Sequence, residues 1–109
     1  MNGSNPPLVK KEALEAFIDR LVATFSPERV ILFGSLATNE ARWDSDADLL
    51  IVMPFEGRPF DKAVEIRQSC QANFPVDLII RTPQDVHQRY LWGDPFIREA
   101  VDHGIVLHG

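Results

Sequence analysis

Apolar residues recur with two different periods along this chain, and the alternation between them sketches a fold. Leu14, Phe17, Ile18, Leu21, Val22 and Phe25 fall three and four apart, with Lys10, Lys11, Glu12, Glu15, Asp19 and Arg20 between them. That spacing predicts an amphipathic helix over 8–25, closed by Ser26-Pro27. Arg29 to Phe33 is a continuous, β-branched run and predicts a buried strand. Gly34-Ser35 breaks it, and a short helical turn is expected over 36–40. A polar loop carrying Trp43 leads to a second strand over 48–53, then a loop from Pro54 to Pro59. Phe60, Val64, Ile66, Arg67 and Cys70 predict a helix of weaker apolar stripe over about 60–72. Pro75 opens a third strand over 76–80. Thr82-Pro83 supplies an N-cap and a proline at the first helical position, for a helix reaching Trp92-Gly93. Asp94-Pro95 repeats the device for a last helix reaching His103-Gly104, and Ile105 to Leu107 reads as a final short strand.

Strands alternating with helices argue an α/β or α+β domain, a small sheet covered by helices. The 109 residues suffice for one domain over 1–109, with 1–7 (MNGSNPP) as a flexible, polar lead-in. A net charge of −5 gives no basic face, so direct nucleic-acid binding is not expected. The one cysteine, Cys70, excludes an intrachain disulfide and suits a reducing compartment. No apolar run approaches the ~20 residues of a membrane span. The N-terminus lacks a basic-then-apolar leader, and a cytoplasmic protein is expected.

The chemistry gathers where the two first strands meet their loop. Gly34-Ser35 closes the first strand, and after ten residues Asp46 and Asp48 stand two apart at the mouth of the second. Residues i and i+2 of a strand share a face, so both carboxylates should project together. Like charges held side by side invite a cation, and a hard divalent ion with oxygen ligands fits. Asp77 sits at the start of the third strand as Asp48 does at the start of the second. Strands side by side, each begun by an acid, would place three carboxylates at one sheet edge. Gly34 lets the backbone approach a phosphate, and Ser35 adds a hydroxyl beside free N–H groups.

Gly-Ser, ten residues, Asp-x-Asp and a later strand Asp together resemble the nucleotidyltransferase superfamily related to DNA polymerase beta. In so short a chain the pattern is similar to the minimal nucleotidyltransferases in particular. The likeness extends to Ser45-Asp46-Ala47-Asp48-Leu49-Leu50 and to the tail from Gly93-Asp94-Pro95-Phe96 to Gly104-Ile105-Val106-Leu107. It implies a small mixed sheet flanked by helices, as in a polymerase-beta palm. It implies catalytic, metal-binding roles for Asp46, Asp48 and Asp77 toward two Mg²⁺ ions, with Asp77 also activating the attacking hydroxyl. Gly34 and Ser35 would hold the triphosphate of ATP. The resemblance further implies an antitoxin that transfers AMP to a tyrosine hydroxyl of a partner HEPN-domain ribonuclease toxin. With about 30 residues left after Asp77, a protein acceptor bringing its own recognition surface is expected. One departure stands out: where family members often carry Ala-Arg-Gly after Gly-Ser-x, this chain has Ala37-Thr38-Asn39. Neutralisation by binding alone, with a weakened site, is therefore an alternative, and a small-molecule nucleotidyltransferase a more remote one.

Other motifs read more plainly. Asp44-x-Asp46-x-Asp48 is not an EF-hand loop, since Leu49 and Phe55 stand where that loop needs Gly and Glu. Gly34-Ser35 lacks the Gly-Lys-Ser/Thr of a P-loop. His87, His103 and His108 have no ligand-like spacing. Cys70 is expected as a small buried group, Trp43 as a base-stacking or packing residue, and Trp92 and Phe96 as core or, if exposed, part of a partner surface, with one of them expected in the core.

Overall fold

The computed structural model describes residues 6–109. Most of the lead-in read over 1–7 lies outside the described residues; Pro6 and Pro7, within them, are exposed and belong to no helix or strand.

The elements follow one another as α1 (Lys11–Phe25), β1 (Arg29–Phe33), a 3₁₀ turn (Gly34–Leu36), β2 (Ala47–Val52), α2 (Pro59–Cys70), β3 (Val76–Arg81), α3 (Pro83–Trp92), α4 (Pro95–His103) and β4 (Ile105–His108). The four strands form one mixed sheet in the order β3-β2-β1-β4. β1 runs antiparallel to β2 and to β4, while β2 and β3 are parallel, joined through α2. This is the α+β architecture read from the sequence.

Strand alternation sorts the core into two layers. Val30, Leu32, Ala47, Leu49, Ile51, Val76 and Ile80 face α1 and α2, where Phe17, Leu21, Ile66 and Cys70 are fully buried. Ile31, Phe33, Leu50 and Val52 face the other way, onto Ile97 and Ala100 of α4 and Val86 and Tyr90 of α3. The central strands are apolar throughout because both sheet faces are covered. Asp48 is the exception in β2, and by alternation it shares the α4 face with Leu50 and Val52.

Boundaries differ from the sequence reading where caps decide them. α1 begins at Lys11 rather than at residue 8, because Lys10 offers no side-chain cap and the Leu8 N–H bonds instead to the Trp43 carbonyl at 2.8 Å. It ends at Ser26, left-handed at φ 49°. The turn expected over 36–40 lies at Gly34–Leu36. Thr82 and Asp94 cap α3 and α4 as read: the Thr82 hydroxyl accepts from the Asp85 N–H, and Asp94 accepts from the Phe96 and Ile97 N–H groups. Arg89 ties both caps together, 3.0 Å from Asp85 and 3.3 Å from Asp94.

Three side-chain placements overturn expectation. Phe60 does not belong to the apolar stripe of α2 but is 72% exposed. Neither Trp92 nor Phe96 is core: they are 72% and 61% exposed, because the α3–α4 corner turns both outward. β3 is an edge strand, and Asp77 is exposed on it. Cys70 is buried as expected. Trp43 is exposed. No helix among the described residues is long and apolar enough to cross a membrane.

Candidate active site

Parallel pairing of β2 with β3 sets the site. Asp48 and Asp77 are register partners, each the second residue of its strand, and Leu49 pairs with Leu78 beyond them. Register partners on parallel neighbours share a face, and the strands stand about 4.8 Å apart, so the two carboxylates stand side by side. On the other side Asp48 pairs with Phe33, the last residue of β1, which brings the Gly34 corner against it.

Gly34 is needed there on two counts. Its φ of +77° is a left-handed conformation that side chains resist, and a Cβ at this position would run into the Asp48 carboxylate. Backbone and acid are thus in contact, the close approach expected of Gly34 for a phosphate being taken up here by Asp48. Ser35 lies within the 3₁₀ turn, half-buried.

A cleft of about 410 Å³ opens at this edge, lined by Phe33, Gly34, Asp48, Arg67, Asp77, Leu78, Ile79, Phe96 and Glu99. Of the residues predicted from sequence, Gly34, Asp48 and Asp77 line it. Asp46 precedes β2 and is exposed; it and Ser35 do not form the cleft wall. Asp46 nonetheless acts on the site through its charge. Burial, then the Asp77 charge, then Asp46, a hydrogen bond shared with Asp77, and Glu99 hold the Asp48 carboxyl above the usual carboxylate range.

Three wall residues escaped the sequence reading. Glu99 reaches back from α4, and its Oε2 accepts from the Gly34 N–H at 3.0 Å. Arg67 of α2 is the cation of the cleft wall, its Nη2 donating to the Val76 carbonyl at 2.7 Å. Phe96 gives the cleft an exposed aromatic edge. The acid and Gly-Ser motifs do not mark them, although Phe96 and Glu99 fall within the familial tail. They come from helices that packing, not local sequence, brings to the site; the offset Glu99, two residues beyond buried Ile97, was a further hint.

The donor set suits a hard divalent ion. Among the described residues no three His, Cys, Asp or Glu side chains form a ready-made cage. Mg²⁺ does not need one, since it binds through one or two carboxylates, waters and substrate phosphates. Two register-paired carboxylates, one partly buried and raised by its neighbours, meet that requirement.

Comparison with known proteins bears on the family and the fold. No curated protein matches the sequence. Among solved structures, a candidate nucleotidyltransferase from Sulfolobus solfataricus, crystallised and refined at 1.40 Å, superposes with a TM-score of 0.57. It shares 24% identity over 71% of this chain and 70% of its own, which is a likeness of fold. The family model for the nucleotidyltransferase domain matches residues 11–107, nearly the whole chain, and so the protein belongs to the nucleotidyltransferase domain family.

Proposed function

We propose that this nucleotidyltransferase uses Mg²⁺ and ATP to move AMP onto a hydroxyl of a protein partner, a tyrosine of a HEPN-domain ribonuclease toxin, and so acts as its cytoplasmic antitoxin. The observation that carries the transfer reading is the register pairing of Asp48 with Asp77 against the Gly34 corner. Asp46, Asp48 and Asp77 are the residues that would hold the cation, which when bound neutralises phosphate charge and eases departure of pyrophosphate. The protein's own part is positioning. Arg67 lies in the cleft wall, where its guanidinium suits a phosphate oxygen. Asp77, exposed at the edge strand, is open to an incoming hydroxyl and takes its proton as the oxygen bonds to the α-phosphorus and the bond to the β-phosphate bridging oxygen breaks.

A protein acceptor is favoured by the surface beside the cleft. Phe96, on its wall, is 61% exposed. Exposed aromatic groups around a polar site are what a docking protein covers. Incubation of the complex with α-labelled ATP and Mg²⁺ tests the proposal. Label should appear on the partner's tyrosine with the native chain and vanish with Asp46→Ala/Asp48→Ala, which leaves the fold intact. Undiminished transfer by that double variant would overturn the proposal.

Neutralisation by binding alone has one observation in its favour. The 36–46 loop brings no arginine to the cleft: Thr38 donates to Glu40 at 3.1 Å, and exposed Arg42 lies 4.0 Å from Asp44. Under that reading the double variant still protects cells co-expressing the toxin. Under the transfer reading protection is lost.

A further inference from the structure

The Gly34 N–H belongs to the corner that the family resemblance assigns to the triphosphate, and it is already taken. Glu99 Oε2 accepts from it at 3.0 Å across 65 residues of sequence. Glu99 is exposed, but the helix that carries it is anchored. α4 is fixed at its start by Asp94, which accepts from two N–H groups and is gripped by Arg89. It is fixed along its length by Ile97 and Ala100, both buried against β1 and β2. Glu99 is presented from that fixed helix on the side that lines the cleft.

The placement is electrostatically unfavourable. Glu99 joins Asp48 and Asp77 in one cleft wall, and none of the ion pairs among the described residues includes it. A free carboxylate would leave such a corner for water unless a donor held it there. The backbone N–H is that donor. A phosphate oxygen is an acceptor of the same kind with the same sign of charge, and one N–H directed into the cleft serves one strong acceptor at a time.

Resting on the nucleotide reading above, we infer that Glu99 is a built-in competitor for the nucleotide: its carboxylate occupies the Gly34 N–H in the free protein and must vacate it before a phosphate oxygen binds there. The device penalises a nucleotide that arrives without its cation, because bare triphosphate meets three carboxylates and a filled donor. With its cation bound the nucleotide brings the positive charge that lets Glu99 be displaced without leaving the acids uncompensated.

Titration with Mg²⁺ and a non-transferable ATP analogue, followed calorimetrically and by the Gly34 amide resonance, tests this. Glu99→Ala should bind the analogue about fivefold more tightly than the native chain, the weight of one exposed, charge-assisted hydrogen bond. Glu99→Gln, which keeps an acceptor but not the charge, should lie between them. Before any nucleotide is added, the Gly34 amide of Glu99→Ala should move away from its native position, and on saturation all three proteins should converge. Equal or weaker binding by Glu99→Ala, with the native chain binding normally, overturns the competitor role and leaves the nucleotide reading standing. Folded protein that binds no nucleotide in any of the three forms overturns both.

Discussion

The acid pair makes a prediction about stability that is separate from catalysis. Asp48→Asn keeps the shape of the side chain and deletes one charge. Asp77 is its register partner, about 4.8 Å away across a parallel pair, and Asp46 and Glu99 add to the same field. At that separation, with an effective dielectric between that of a protein surface and that of water, two like charges repel by about 2–3 kcal/mol before screening. Solvent around exposed Asp77 and Asp46 reduces this, and about 1 kcal/mol survives. In a chain of 109 residues that is a rise of about 4 °C in Tm. Asp48→Asn should therefore melt higher than the native chain in the presence of a chelator, by scanning calorimetry, while nucleotide transfer falls by at least about a hundredfold.

Cation and pH dependence sharpen the test. Mg²⁺ should raise the Tm of the native chain, since a ligand of the folded state stabilises by mass action, and leave Asp48→Asn nearly unmoved. The Asp48 carboxyl is held above its usual range, so the folded state binds its proton more tightly than the unfolded state does. Repulsion is then present above the raised pKa and relieved as pH falls through it. The advantage of Asp48→Asn should shrink on acidification and disappear once both proteins carry a neutral group. A native chain that melts at or above the variant at neutral pH without a cation would show that the acids do not crowd one another, and the case for a cation between them would fail.

Three further outcomes test other parts of the site and its frame. Gly34→Ala should cost about 2 kcal/mol in urea denaturation and abolish nucleotide binding, because it strains a φ of +77° and drives a methyl group into Asp48. Arg67→Ala should weaken binding of Mg²⁺–ATP about tenfold, the loss of one charge-assisted contact, and lower Tm by about 4 °C through the lost bond to the Val76 carbonyl. Asp94→Ala should destabilise the fold by about 1–2 kcal/mol through the lost cap. Despite some burial, N–H groups of Ile97 and Phe96 and the Arg89 guanidinium hold the Asp94 carboxyl below its usual range. Its contribution is thus complete above the ordinary carboxylate pKa and is lost as pH falls through the depressed one, so native and variant Tm should converge in acid.

What could be read in the chain and what could not divide along a physical line. The period of apolar residues fixed α1, β1 and β2, because each buries a face its own sequence defines. Thr82 and Asp94 were legible as caps because capping is a contact within three residues. The pairing of Asp48 with Asp77 was half legible: both open apolar runs, but only the parallel register makes them partners. The exposure of Asp77 was not legible, since an apolar run is the same in an edge strand as in a central one. Trp92 and Phe96 were misjudged for a related reason. Large aromatic groups next to a turn are usually covered, and only the α3–α4 corner decides that these are not. Glu99 and Arg67 reach the cleft across 65 and 9 residues through helix packing, which no local pattern encodes.

The same burial that stabilises the sheet also sets the chemistry of its edge. Ile97 and Ala100 bind α4 to the face of β1 and β2 that carries Asp48 two residues before Leu50. With a helix seated there, Asp48 loses water, and one side of α4 presents Phe96 and Glu99 to the cleft. The other sheet face has no such consequence, because Ala47, Leu49 and Ile51 point from it into a purely apolar layer. One alternation along six residues of β2 therefore separates stability from function: one set of side chains closes the core under α1 and α2, the other leads from core to carboxylate. A shift of β2 by a single residue would bury Asp48 in the apolar layer under α2 and expose Leu49 to the cleft. The register of β2 between β1 and β3 is for that reason the feature on which both the fold and its acid pair depend.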